Sequence, residues 1–184
     1  MEYLPIIIAA AVILVILIIV FWWIGASNSF KRKGIKVNES LSGVEVALTK
    51  RYDMLTKLMD VAKGYAKHET ELFTHVIELR RGMSVSELSD KSMQLDKLSS
   101  QINVVAENYP ELRSADVFRE LQAGIRDAEE HLQAARRLYN SNVTAYNTAL
   151  VLFPSSIVAN SQKLQKFDFF VAEEAKRADV KMDF

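Results

Sequence analysis

The chain of 184 residues contains no cysteine, which excludes disulfides, thiolate metal sites and thiol nucleophiles. It has three prolines and six glycines, and good helix formers fill the intervals, so an all-α protein is expected. It has no net charge, with 23 basic residues against 23 acidic ones. No Arg/Lys tract is interleaved with aromatics, which excludes nucleic acid as an expected partner. Histidine is scarce: His68, His75 and His131 are all there are. His68 and His75 share a helix face with Glu71 and Glu78, but neither His-Glu-x-x-His nor Glu-x-x-His occurs, so they are read as solvated and no metal is expected. Neither a Gly-x-Ser-x-Gly elbow nor a glycine-rich phosphate loop is present. No cofactor, small-molecule substrate or catalytic activity is therefore expected.

What the chain does have is a long apolar run. Leu4 to Ile24, "LPIIIAAAVILVILIIVFWWI", carries no charge. As a helix it measures about 31 Å, close to the ~30 Å hydrocarbon core of a bilayer. Pro5 falls in the first turn, where its missing N–H is harmless. Tyr3 stands at one end and Trp22 and Trp23 at the other, positions that suit the membrane interface. Met1, Glu2 and Tyr3 before the run include no basic residue, so the basic start of a cleaved signal is lacking. Residues 1–30 are thus expected to form an uncleaved single-pass anchor and 31–184 a helical domain. Lys31, Arg32, Lys33 and Lys36 follow at once, which places the N-terminus outside and the bulk of the chain in the cytoplasm.

Beyond Gly34, apolar residues recur at heptad spacing through Leu41, Val44, Leu48, Leu55, Leu58, Ala62, Tyr65, Leu72, Val76 and Leu79, one long amphipathic helix. Its start is open, since Ser42 with Glu45 makes a capping box while the span could also continue straight into it. Gly82 after Arg80 and Arg81 predicts a helix end, and Ser84 with Glu87 predicts the next start, so a hairpin is expected there. Leu88, Leu95, Leu98, Ile102, Val105 and Tyr109 mark the following helix, which should stop before Pro110. Ser114 is the expected cap of a further helix, striped by Phe118, Leu121, Ile125, Ala128, Leu132, Ala135, Tyr139, Asn142, Tyr146 and Ala149 and closed by Phe153-Pro154. Ile157, Val158, Leu164 and Phe167 suggest a short last helix, and Val180, Met182 and Phe184 an extended tail. The tail could dock on the bundle or join a partner as an added strand. Short connections between long helices predict an up-down bundle of antiparallel helices behind the transmembrane helix.

Two charges interrupt the apolar stripe, Arg51 and Glu69. They lie 18 residues apart on one helix, about 27 Å, and cannot pair with each other. Counting levels from a hairpin at Gly82 opposes Glu69 to Asp96 or Lys97 and to Arg126, with Lys97 or Arg126 as its partner. The same count takes Arg51 to Glu111, a turn carbonyl or the C-terminal carboxylates. Both read as locks of helix register, as does Asn142 with Asn140 and Asn147 beside it. The count also leaves Val44 and Leu48 without intrachain cover, which suggests a protein partner or self-association.

"RYDMLTKLMDVAKGYAKHETEL" resembles the signature of the LemA family, an Arg-Tyr-Asp-Leu element followed by Lys-Gly-Tyr-Ala-x-His-Glu. The likeness rests here on Arg51, Tyr52, Asp53, Gly64, Tyr65, His68 and Glu69. It continues through Tyr109-Pro110 in "VVAENYPEL", through Arg136, Tyr139, Asn140, Tyr146 and Asn147 in "AARRLYNSNVTAYN", and into "LFPSSIVA" and the closing "FFVAEEAKRADVKMDF". Leu55-Thr56-Lys57 stands where the family commonly has Ile-Pro-Asn, and Gly82 to Gln101 matches weakly. The resemblance implies an anchored bacterial membrane protein with a helical soluble domain and no established reaction; one branch of the family belongs to magnetosome membranes. Location in the inner membrane and work as a scaffold or adaptor are the resulting expectations. The alternative is an accessory subunit of a membrane enzyme such as a protease.

Overall fold

The computed structural model describes residues 3–65 and 82–171. Among these described residues five helices follow in order: α1 (Leu4–Tyr65), α2 (Val85–Asn108), α3 (Pro110–Ser114), α4 (Asp116–Val151) and α5 (Ser155–Ser161). No strand occurs among the described residues, as the all-α expectation requires. The open question at the start of the bundle helix is answered by α1, a single helix of 62 residues that runs from the apolar segment through Gly34 and Gly43. That segment is exposed at its described positions except for the half-buried Trp23, and α1 is long and apolar enough there to cross a membrane.

The chain divides into two compact units, one of residues 1–39 with 141–167 and one of 40–140 with 168–184. In the first, α4 is antiparallel to α1: Asn142 Nδ2 donates to the Lys36 carbonyl at 3.3 Å, and the Tyr146 ring meets Phe30 edge to face at 6.0 Å. Its interior holds Phe30, Val37, Val143, Tyr146, Leu150, Val158 and Ala159. Val143, rather than the expected Asn142, is fully buried on α4; Asn142 stands at the edge of the stripe, where its amide reaches a carbonyl without being stripped of water.

The second unit packs α1, α2 and α4 around Leu48, Leu55, Leu58, Ala62, Leu88, Leu95, Leu98, Ile102, Val105, Phe118, Ala128 and Leu132. Lys50 bonds Asp127 at 2.6 Å, and a Cβ at Gly124 would meet Met54 Sδ at 3.4 Å. Residue numbers thus rise on α1 as they fall on α4. Asn103 accepts from Gln122 and Ser92 from Arg136, so α2 is antiparallel to α4 as well. Two helices antiparallel to a third are parallel to each other. α1 and α2 therefore run parallel, and the hairpin expected at Gly82 has its first arm, residues 66–81, outside the described residues.

Local signals at this junction are nonetheless present. Gly82 adopts φ 77°, a left-handed conformation costly for other residues, and Ser84 with Glu87 forms the complete capping box. The parallel course of α2 also explains why Val44 and Leu48 are 0% exposed, against the expectation of an uncovered stripe. Tyr65, by contrast, is exposed rather than on the seam.

At the far end α2 stops at Asn108, before Pro110, as expected. Pro110 instead opens the short α3, where its missing N–H is harmless. Ser114 does not cap α4: it ends α3, its hydroxyl donating to the Glu111 carbonyl at 3.0 Å. The last helix is also shorter than expected. Lys163 takes φ 51° just after α5, and Leu164 to Val171 continues without helix. The expected tail at Val180–Phe184 lies outside the described residues.

Candidate functional site

Arg51 is 4% exposed, and its guanidinium needs compensation for the water it has lost. Nη2 donates to Asp96 Oδ1 at 2.6 Å. Nη1 approaches Glu129 Oε2 to 3.0 Å without the N–H directed at it, so attraction of charge holds that side. Both partners differ from the Glu111, turn carbonyl or C-terminal carboxylates expected. The level count failed because it assumed that α2 returns antiparallel to α1, whereas the two run parallel. It was Asp96, assigned there to the level of Glu69, that reached Arg51.

A second arginine joins this group. Arg136 donates from Nη2 to Ser92 Oγ, and its guanidinium carbon sits 4.8 Å from the centre of the Phe170 ring. Burial lowers its pKa from the ordinary value, opposed by the nearby Glu129 and Asp96 carboxylates. Two arginines and two carboxylates balance, and the cluster closes α1, α2 and α4 on one another. The heptad pattern marks Arg51 as unusual but not its acceptors: Glu129 and Asp96 flank their stripes, at positions that read as solvated.

Arg136 and the next two motif residues hold an irregular stretch of chain in the same unit. Tyr139 Oη donates to the Asp168 carbonyl at 2.8 Å. Asn140 pairs with both main-chain groups of Phe170, Nδ2 donating to its carbonyl at 3.0 Å and Oδ1 accepting its N–H at 2.9 Å. Phe170 is buried. Burial, with the Asp168 carboxylate second, raises the Tyr139 pKa, which keeps the hydroxyl a donor.

In the other unit Asn147 treats Phe167 the same way, donating to its carbonyl at 2.9 Å and accepting its N–H at 3.0 Å. The Phe167 ring lies 4.7 Å from that of Tyr146, whose pKa is raised by burial. An amide that offers one donor and one acceptor to a single residue copies the pairing of a β-ladder. Phe167 and Phe170 were missed as site residues, although "FDFF" is a conspicuous aromatic stretch and an asparagine beside a buried stripe needs partners.

The remaining motif residues scatter. Tyr52 is half-buried, Asp53 and Gly64 are exposed, and Tyr109 is the half-buried residue between α2 and α3. His68 and Glu69 lie outside the described residues; Lys97 and Arg126, the expected partners of Glu69, are exposed. Near the apolar segment Trp22 is exposed and Trp23 half-buried, Lys31 and Arg32 are exposed, and Lys33 Nζ donates to Ser29 Oγ at 3.0 Å.

Comparison with known proteins bears out the family resemblance. The sequence profile of the LemA family matches residues 40–184. The chain is similar to Protein LemA of Metamycoplasma hominis, at 27% identity over 85% of this chain and 74% of that one. It is also similar to Magnetosome protein MamQ of Magnetospirillum gryphiswaldense, at 19% identity over 70% of this chain and 58% of the relative.

Proposed function

The chain belongs to the LemA family, and from that premise we propose that it is a membrane-anchored helical scaffold or adaptor that acts through protein–protein contacts and not by catalysis. Its N-terminus lies outside a bacterial inner membrane and its bundle in the cytoplasm. One observation carries this reading: four polar groups of the family motifs, those of Arg51, Tyr139, Asn140 and Asn147, are turned inward. Arg51 is held by Asp96 and Glu129, and Tyr139, Asn140 and Asn147 by main-chain groups of residues 167–170. A catalytic set needs its acid, base or nucleophile within reach of a substrate. These groups instead hold helices and chain within each unit, and the apolar segment continues into α1 without a break in the helix.

Affinity capture of the detergent-solubilised protein tests the proposal. Recovery of a partner or a second copy in stoichiometric amount is expected, with no turnover by the purified chain. A chain that is recovered alone and converts a substrate overturns it. Recovery with a protease or other membrane enzyme whose rate the chain alters favours the accessory-subunit alternative. Orientation is read from thiol reagents: Glu2→Cys should label from outside intact cells and Ile35→Cys only after permeabilisation.

A further inference from the structure

The α4–α5 turn exposes Val151, Leu152 and Phe153, the last to 82%, and Ile157 early in α5 joins them. Single exposed apolar side chains are ordinary, but this is a contiguous tip. Its height along α1 follows from the antiparallel pairs of the first unit. From Tyr146 beside Phe30 and Asn142 beside Lys36, each step forward on α4 is one step back on α1. Val151 thus stands level with Gly25 to Ser27. From the α5 side the same height is marked by Gln162, whose Nε2 donates to Ser27 Oγ at 2.8 Å. The turn beyond Val151 therefore reaches Trp23 and Ile24, the end of the apolar segment.

We propose that this turn enters the bilayer as a second membrane contact, with Leu152 and Phe153 in the boundary between headgroups and acyl chains. The proposal rests on the reading of Leu4–Ile24 as a membrane span. Main-chain groups entering an apolar phase must bring their own partners. This turn does so: Ser155 Oγ donates to the Ala149 and Leu152 carbonyls at 2.7 and 2.9 Å, the Ser156 N–H to Leu152 and the Ile157 N–H to Pro154. The flanking charge is of the right sign as well. Lys31 and Arg32 on α1 and Lys163 after α5 are exposed just beyond the level of Ser27, where anionic headgroups would lie. The "LFPS" motif, whose proline merely ends a helix in the sequence pattern, thereby acquires a membrane role.

The full chain reconstituted in phosphatidylcholine–phosphatidylglycerol vesicles tests this. Single cysteines at Val15, Phe153 and Ile35 each carry an environment-sensitive fluorophore. Phe153→Cys is expected to emit to the blue and to lose roughly half its emission to a quencher on the lipid chains, as Val15→Cys does, while Ile35→Cys responds only to aqueous iodide. A label at Ile157→Cys should lose this lipid quenching when Phe153→Asp is added. A lipid-quenched Val15 label with a Phe153 label that responds only to iodide overturns the proposal and leaves the span intact. A Val15 label untouched by lipid quencher overturns both. A blue shift at Phe153 that grows with protein density and ignores the lipid quencher shows a second copy on the tip and also overturns it.

Discussion

Replacing Arg51 by methionine keeps the apolar stem and its packing but removes the positive charge that Asp96 and Glu129 surround. Loss of one member of a buried ion pair costs about 3–5 kcal/mol, because the other is left without its charge partner. Here the side chain of Arg51 is 5% exposed, whereas Asp96 and Glu129 retain 26% and 30%, so water can recover part of their solvation. An expected loss of about 2–4 kcal/mol follows. For a helical body of this size that lowers the melting temperature by roughly 5–15 °C. The assay is the loss of ellipticity at 222 nm for the detergent-solubilised chain. Arg51→Met combined with Asp96→Asn should be less damaging than the two losses added, with a coupling of about 1–3 kcal/mol. If Arg51→Met shifts the melt no more than a surface substitution does, about 0.5 kcal/mol, the lock does not exist.

Asn147→Leu removes both bonds to Phe167 and should cost about 2–3 kcal/mol, with faster proteolysis between Leu164 and Val171 as the direct sign of a released segment; unchanged cleavage would argue against the clamp. Tyr139→Phe should cost about 1 kcal/mol near neutrality. Because the Tyr139 pKa is raised on folding, its contribution is complete below the unfolded value near 10 and is lost as pH rises through the folded one, so alkaline stability should fall less steeply in the phenylalanine variant. Leu48→Cys should resist thiol reagents in the native chain, and Leu48→Ala should cost about 2–5 kcal/mol; rapid labelling of the native protein would restore the idea of an uncovered face.

Those features that depend on neighbours in the chain were legible in advance. The apolar length of Leu4–Ile24, the box at Ser84 and Glu87, the left-handed Gly82 and the stop before Pro110 are all local. Direction was not. Periodicity shows which face of a helix is buried and is silent on what buries it, so nothing in the stripes of α1 and α2 distinguishes parallel from antiparallel packing. The same silence hid the Arg51 partners. Asp96 and Glu129 are half-buried charges beside a stripe, indistinguishable by spacing from solvated ones such as Lys97. The slip from Val143 to Asn142 has a different cause: a strict heptad drifts on a straight helix of 3.6 residues per turn, and α4 is long enough for the drift to move the stripe by a residue.

Asn140 and Asn147 of α4 grip only main-chain atoms, which every residue but proline offers in full. A contact of that kind is blind to spelling: most side chains could replace the one at position 167 or 170 and still be held by the same amide, and only the rings against Tyr146 and Arg136 register which letter is there. The positions that hold this segment in place therefore lie on the helix, and the segment itself is comparatively free to vary.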